Sequence, residues 1–165
     1  MRFLTLALSL SITLFCNATM LAQESHLSNI RQLTFGGDNA EAYFSPDGRH
    51  LSFQSNNEAW GLQCDQIFAM DIAKAANDST YEPEMVSTGM GRTTCSYYMP
   101  DGSHVLYAST HEGGKECPPP PAPRKDAKYL WSVDKTYDIY VADDHGHIVT
   151  KLTKAKGYDA EATLS

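Results

Sequence analysis

Glu41-Ala42-Tyr43-Phe44-Ser45-Pro46-Asp47-Gly48-Arg49-His50-Leu51-Ser52-Phe53-Gln54-Ser55 returns as Cys95-Ser96-Tyr97-Tyr98-Met99-Pro100-Asp101-Gly102-Ser103-His104-Val105-Leu106-Tyr107-Ala108-Ser109. Self-similarity of this kind marks a repeat architecture. In each copy a Pro-Asp-Gly stands between two aromatic-rich or alternating runs. Pro presets one turn dihedral, Asp bonds the backbone just beyond itself, and Gly accepts positive φ. The turn residues Ser45, Pro46, Asp47, Gly48, Pro100, Asp101 and Gly102 therefore predict two β-hairpins of the same build.

Two further elements recur. Gln66-Ile67-Phe68-Ala69-Met70-Asp71 returns as Asp138-Ile139-Tyr140-Val141-Ala142-Asp143, and Arg31-Gln32-Leu33-Thr34 as Thr150-Lys151-Leu152-Thr153. The stretch from Asp159 to Ser165 matches the approach to Ser45. Four short strands can be drawn per unit, near residues 42–45, 50–55, 66–72 and 84–87, then near 95–99, 104–109, 137–142 and 148–153. Leu51 and Phe53 share one strand face, as do Val105 and Tyr107, and the opposite face is also partly apolar in Leu106 and Ala108. Apolar character on both faces suits sheets stacked between neighbouring sheets. The predicted fold is all-β, with four-stranded antiparallel propeller blades.

The predicted organisation is a blade-closing strand over 28–34, a first blade over about 41–87, and a second over about 95–153 that carries an insertion at 111–135. The start of a third blade follows at 159–165. Since propellers close with roughly four to eight blades, about two blades and a start predict an incomplete propeller. Residues 1–22 precede the fold as a signal peptide: Arg2 gives a positive start, an apolar run extends from Leu4 to Phe15, and Ala22 supplies a small residue for cleavage. Phe15 stands where a lipoprotein signal has a small residue, which argues against lipid anchoring at Cys16.

At Tyr43-Phe44-Ser45-Pro46-Asp47-Gly48 and Met99-Pro100-Asp101-Gly102 the sequence resembles the WD40-like repeat of the TolB propeller family. The resemblance runs from residue 31 to 165, with the Leu-Thr element and the Ile-aromatic strand in the order that family uses. It implies an exported, periplasmic or secreted propeller. Similar repeats also form the propeller that covers prolyl-oligopeptidase-type hydrolases. The second copy departs in having Met99 for Ser, a change expected to alter the turn's hydrogen bonding and not the fold.

With 13 basic and 20 acidic residues the formal charge is −7, which removes the compositional support for binding nucleic acid. No Gly-x-Ser-x-Gly, His-Glu-x-x-His or phosphate loop occurs, so no catalytic residue, cofactor or metal ligand is assigned. Gly89-Met90-Gly91 is a glycine pair before a strand, without a dinucleotide fingerprint, and His145-Gly146-His147 reads as a turn between the third and fourth strands. The insertion is the distinctive departure. Pro118, Pro119, Pro120 and Pro121 predict a stiff extended arm, followed by Lys128, Tyr129 and Trp131, a mixture of charge and large aromatics. Such a loop either covers a blade edge or carries recognition.

Export permits disulfides, and Cys64, Cys95 and Cys117 lie beyond the signal segment. Alternating strand direction places all three toward one end of the blades. Cys95 with Cys117 is the favoured pair and Cys64 with Cys95 the alternative. The expected function is a binding scaffold for an envelope protein, a peptide or a glycan. The alternative is the non-catalytic propeller domain of an exported serine hydrolase.

Overall fold

The computed structural model describes residues 26–123, 125, 126, 128, 130 and 133–165. The expected signal peptide 1–22 with Cys16, and the insertion residues Tyr129 and Trp131, lie outside the described residues. The chain divides into units of residues 1–30 and 31–165, and the description below concerns the second.

Two four-stranded antiparallel sheets follow one another along the chain. The first holds β1 (Asn39–Phe44), β2 (His50–Ser55), β3 (Gln66–Asp71) and β4 (Glu84–Met85), hydrogen-bonded in that order. The second holds β5 (Thr93–Tyr98), β6 (His104–Ser109), β7 (Asp138–Asp143) and β8 (Ile148–Lys151), again in chain order. Each is a meander of the kind that builds a propeller blade. A short helix, α1 (Ile72–Asn77), and a 3-10 turn at Glu58–Trp60 were not predicted. Asp71 starts α1 by accepting the Lys74 backbone N–H, the usual role of an N-terminal Asp.

The apolar pattern decides how the sheets stack. Side chains alternate across a strand, so Phe53, Phe68 and Met70 share one face of the first sheet and pack with Ala75, Leu33 and Trp60. Ile67, Ala69 and Val86 form the other face and meet Tyr98, Val105, Tyr107, Tyr140 and Ala142 of the second sheet in one buried cluster. The far face of the second sheet, with Leu106, Ala108, Ile139 and Val141, is covered by Tyr137, Tyr158, Ala160 and Ala162. Aliphatic residues of the first sheet thus meet the three tyrosines, Val105 and Ala142 of the second. Full burial of a side chain such as Ile67, 0% exposed, stabilises the fold by about 1.5–3 kcal/mol.

The two hairpin turns are built alike but bonded differently. In the first, Ser45 Oγ donates to Asp47 Oδ1 at 2.6 Å and accepts the His50 N–H at 3.0 Å. Met99 has no hydroxyl, and Asp101 itself accepts the histidine N–H that Ser45 accepts in the first turn. Its Oδ1 accepts the Ser103 and His104 N–H groups at 2.9 and 3.1 Å, and its Oδ2 lies 2.7 Å from His104 Nδ1. The substitution thus changed the turn's hydrogen bonds and left the hairpin intact.

Three expectations differ from the structure. β1 and β5 begin before residues 42 and 95, because each runs through a bulge. Two residues, Glu41 and Ala42, oppose Phe53 in the first sheet, and Cys95 and Ser96 oppose Tyr107 in the second. Residues 28–34 carry no strand, having no ladder partner, and Leu33 instead packs on the Phe53 cluster. Residues 159–165 also carry no strand, although Ala160 and Ala162 cover the second sheet as a following blade would.

Two outcomes follow from this packing. The backbone donors of Ser103, and then the His104 ring, hold the Asp101 carboxyl down at about 2, against an ordinary 3.8. A depressed folded value means the turn's contribution is complete above the ordinary value and is lost as pH falls through about 2. An NMR titration of Asp101 should show this midpoint, and His104→Gln should raise it. The Tyr107 hydroxyl, on a side chain 0% exposed, has no hydrogen-bond partner among the described residues. Tyr107→Phe should therefore leave urea stability unchanged or raise it by up to about 1 kcal/mol; a loss of that size would reveal a partner.

Candidate binding site beneath the inserted arm

The insertion leaves the second sheet after β6 and returns at β7, and its base is tied to the first sheet. Cys64, just before β3, is joined to Cys117 with the Cα atoms 5.9 Å apart and a sequence separation of 53. Cys95 is a free thiol, half-buried. The favoured Cys95–Cys117 pair and the alternative Cys64–Cys95 are both corrected by this. The reason is local. Cys95 sits inside the β5 bulge, where its N–H points back at Glu41 of the first sheet, while the arm doubles back over the start of β3.

Gly91 organises that return. Its N–H donates to the Lys115 carbonyl at 2.9 Å, and its carbonyl accepts Gln66 Nε2–H at 2.9 Å. Its φ is +62°, and a Cβ there would lie 2.6 Å from Thr110 Oγ1 and 2.9 Å from the His111 nitrogen. Only glycine satisfies both demands. The next residue, Arg92, reaches Cys117 Sγ with Nη2 at 3.5 Å, while its Nε lies 4.0 Å from Asp65 Oδ2. Burial pushes the Asp65 carboxyl up, and Arg92 opposes that rise.

Pro120 and Pro121 roof a cavity of about 250 Å³ whose walls include Asp65, Arg92, Thr94 and Gln54. Tyr137 and Tyr158 close it with rings set edge to face, centroids 5.5 Å apart. Gln54 Oε1 accepts the Thr94 hydroxyl at 2.9 Å, so the floor crosses from one sheet to the next. Burial also raises the Tyr137 hydroxyl above its ordinary value, keeping it a neutral donor. The arrangement offers aromatic and proline surfaces, one cation, one carboxylate and several neutral polar groups. That mixture suits the recognition of a short chain segment.

The structure thus brings Pro120 and Pro121 into a site. Pro118 is half-buried at the arm's base, and Lys128 is exposed, 4.0 Å from Asp126. His145 and His147 occupy the β7–β8 turn, where Asp143 Oδ1 accepts both backbone N–H groups, at 3.0 and 2.8 Å. Sequence reasoning missed Arg92, Asp65, Tyr137 and Tyr158 as site residues. The glycine pair at Gly89 and Gly91 was the available signal for Arg92, since it marks a tight backbone approach just before it.

No protein-family model matches the chain, and no curated protein matches it. Among solved structures it is similar to a candidate TolB from Agrobacterium tumefaciens, at 19% identity and a TM-score of 0.46. That similarity covers 76% of this chain and 38% of the solved one, so the chain spans less than half the length of that structure.

The bridge predicts a clear partition among the cysteines. Cys117→Ser should cost about 2–4 kcal/mol of stability through the freed loop, while Cys95→Ser should cost well under that. Peptide mapping after alkylation of unfolded, unreduced residues 23–165 should find label on Cys95 alone; label on Cys64 or Cys117 would refute the pairing.

Proposed function

We propose that this chain is the blade-forming part of an exported TolB-like propeller scaffold that binds an envelope partner at the end of its blades bearing the inserted arm. The observation that carries this reading is the roofed cavity. A disulfide and Gly91 pin the arm's base to the first blade, and the arm's prolines then overhang walls drawn from both blades. A loop that only shielded a strand edge would need neither the tie nor the space beneath it. Proteins, peptides and glycans all have the right chemistry, and an extended peptide segment fits it best. Its amides would meet Gln54, Thr94 and Arg92, and its side chains would pack on Tyr137, Tyr158 and the prolines.

The sequence's signal segment and the disulfide both support export, since such bridges persist in oxidising compartments. Among the described residues no helix is long and apolar enough to cross a membrane.

Peptide display against the mature chain tests the reading. Selected peptides should lose about tenfold in affinity, or about 1.4 kcal/mol, with Arg92→Gln or with Pro120 and Pro121 both changed to Gly. Unchanged affinity in both variants, with melting curves intact, would place binding elsewhere.

A further inference from the structure

Three non-glycine residues at the same place in the repeat adopt left-handed backbone: Glu41 with φ 53°, Cys95 with φ 54° and Glu161 with φ 59°. Each lies four residues before the turn-opening position held by Ser45, Met99 and Ser165. The bulges of β1 and β5 and the segment after β8 therefore present corresponding side chains to one another along the edge strands. Between them is a cavity of about 310 Å³, separate from the one beneath the arm and lined by Glu41, Tyr43, Cys95, Ser96, Tyr97 and Glu161.

We propose that this cavity is a binding site for an organic cation, an alkylammonium or guanidinium group carried by a small ligand or a side chain. Two carboxylates line it, no basic residue does, and neither Glu41 nor Glu161 has an ion-pair partner among the described residues. Tyr43 and Tyr97 stand with ring centroids 5.4 Å apart at 53°, an open pair of aromatic faces of the kind that attracts cations. Ser96 is 2% exposed and lines the same cavity, yet its hydroxyl has no hydrogen-bond partner among the described residues. A buried oxygen left in that state is an acceptor for a ligand N–H.

The same residues argue against a metal ion as occupant. Hard cations take six or more oxygen ligands, and no cluster of three His, Cys, Asp or Glu with metal-holding geometry occurs among the described residues. Burial pushes the Cys95 thiol up to about 12, so it is protonated and offers a neutral wall. Glu41 is already held in place, its Oε2 accepting the Cys95 N–H at 3.1 Å.

The test is an NMR titration of the mature chain with butylammonium and with arginine methyl ester, following the amides of Cys95, Ser96 and Tyr97, with 1-butanol as the neutral counterpart. Saturable shifts with both cations and none with butanol are expected, weakening as salt is raised. Glu161→Gln and Glu41→Gln should each weaken binding by about three- to tenfold, roughly the loss of one partly exposed charge contact. Glu41→Gln keeps an oxygen for the Cys95 N–H, and Glu161 is exposed, so either variant alone carries the test if the other melts differently. Absence of saturable shifts, equal binding of butanol, or full affinity in Glu161→Gln would overturn the proposal. The Cys95 N–H also meets Gln54 Oε1 of the arm cavity at 3.3 Å, so the Tyr97 amide and the Glu161→Gln variant, neither belonging to that cavity, separate this outcome from binding beneath the arm.

Discussion

A sheet that is apolar on both faces is stable only between two covers, and every other feature of this structure follows from that constraint. The second sheet has Tyr98, Val105, Tyr107, Tyr140 and Ala142 on one side and Leu106, Ala108, Ile139 and Val141 on the other. The first side is met by the first sheet through the aliphatic side chains of Ile67, Ala69 and Val86. Chain order within each sheet then fixes the rest. Stacked meanders put all their first strands along one edge and all their connections at the two ends. The bulged strands therefore gather where the sheets converge, and the insertion between β6 and β7 emerges at an end, beside the start of β3.

The bulges show how that edge is made specific. Left-handed backbone costs a non-glycine residue about 1–2 kcal/mol, and the chain accepts that cost at Glu41, Cys95 and Glu161 alike. Part of it is offset across the stack, because the turned-out N–H of Cys95 finds Glu41 Oε2 and Gln54 Oε1 in the sheet before it, at 3.1 and 3.3 Å. A glycine would remove the strain but also the carboxylate that makes the contact. The side chain of one bulge thus orders the backbone of the next. That coupling concentrates polar groups along an edge whose neighbours are otherwise apolar.

What was legible in the sequence was whatever depends on local chemistry repeated in register. The Pro-Asp-Gly turns, the alternation in Leu51–Phe53 and Val105–Tyr107, and the returning Ile67 and Ile139 strands placed β2 and β6 to the residue and the others to within a few. Less legible was what depends on a single contact between segments far apart. The bulge is a property of register between two strands, and nothing in Glu-Ala or Cys-Ser announces it, so β1 and β5 were expected to start too late. The helix Ile72–Asn77 was hidden behind a strand pattern, although Asp71 was in place to cap it.

The cysteine pairing is the instructive failure. Reasoning from strand direction expected Cys64, Cys95 and Cys117 toward one end of the blades and ranked Cys95–Cys117 first, whereas the bridge joins Cys64 to Cys117, because the pairing is set by where the insertion turns back. Gly91 decides that. With no room for a Cβ against Thr110 and His111 and its N–H on the Lys115 carbonyl, it steers the arm back to the start of β3 and delivers Cys117 to Cys64. The same turn brings Arg92 to the sulfur and Pro120 and Pro121 over Tyr137 and Tyr158. A glycine pair dismissed as a failed nucleotide fingerprint is thus the hinge on which the bridge, the charged wall and the roof of the cavity all depend. The candidate site was legible only in Pro120 and Pro121 of its loop and illegible in its walls, because walls are made by packing and packing is read only from the fold.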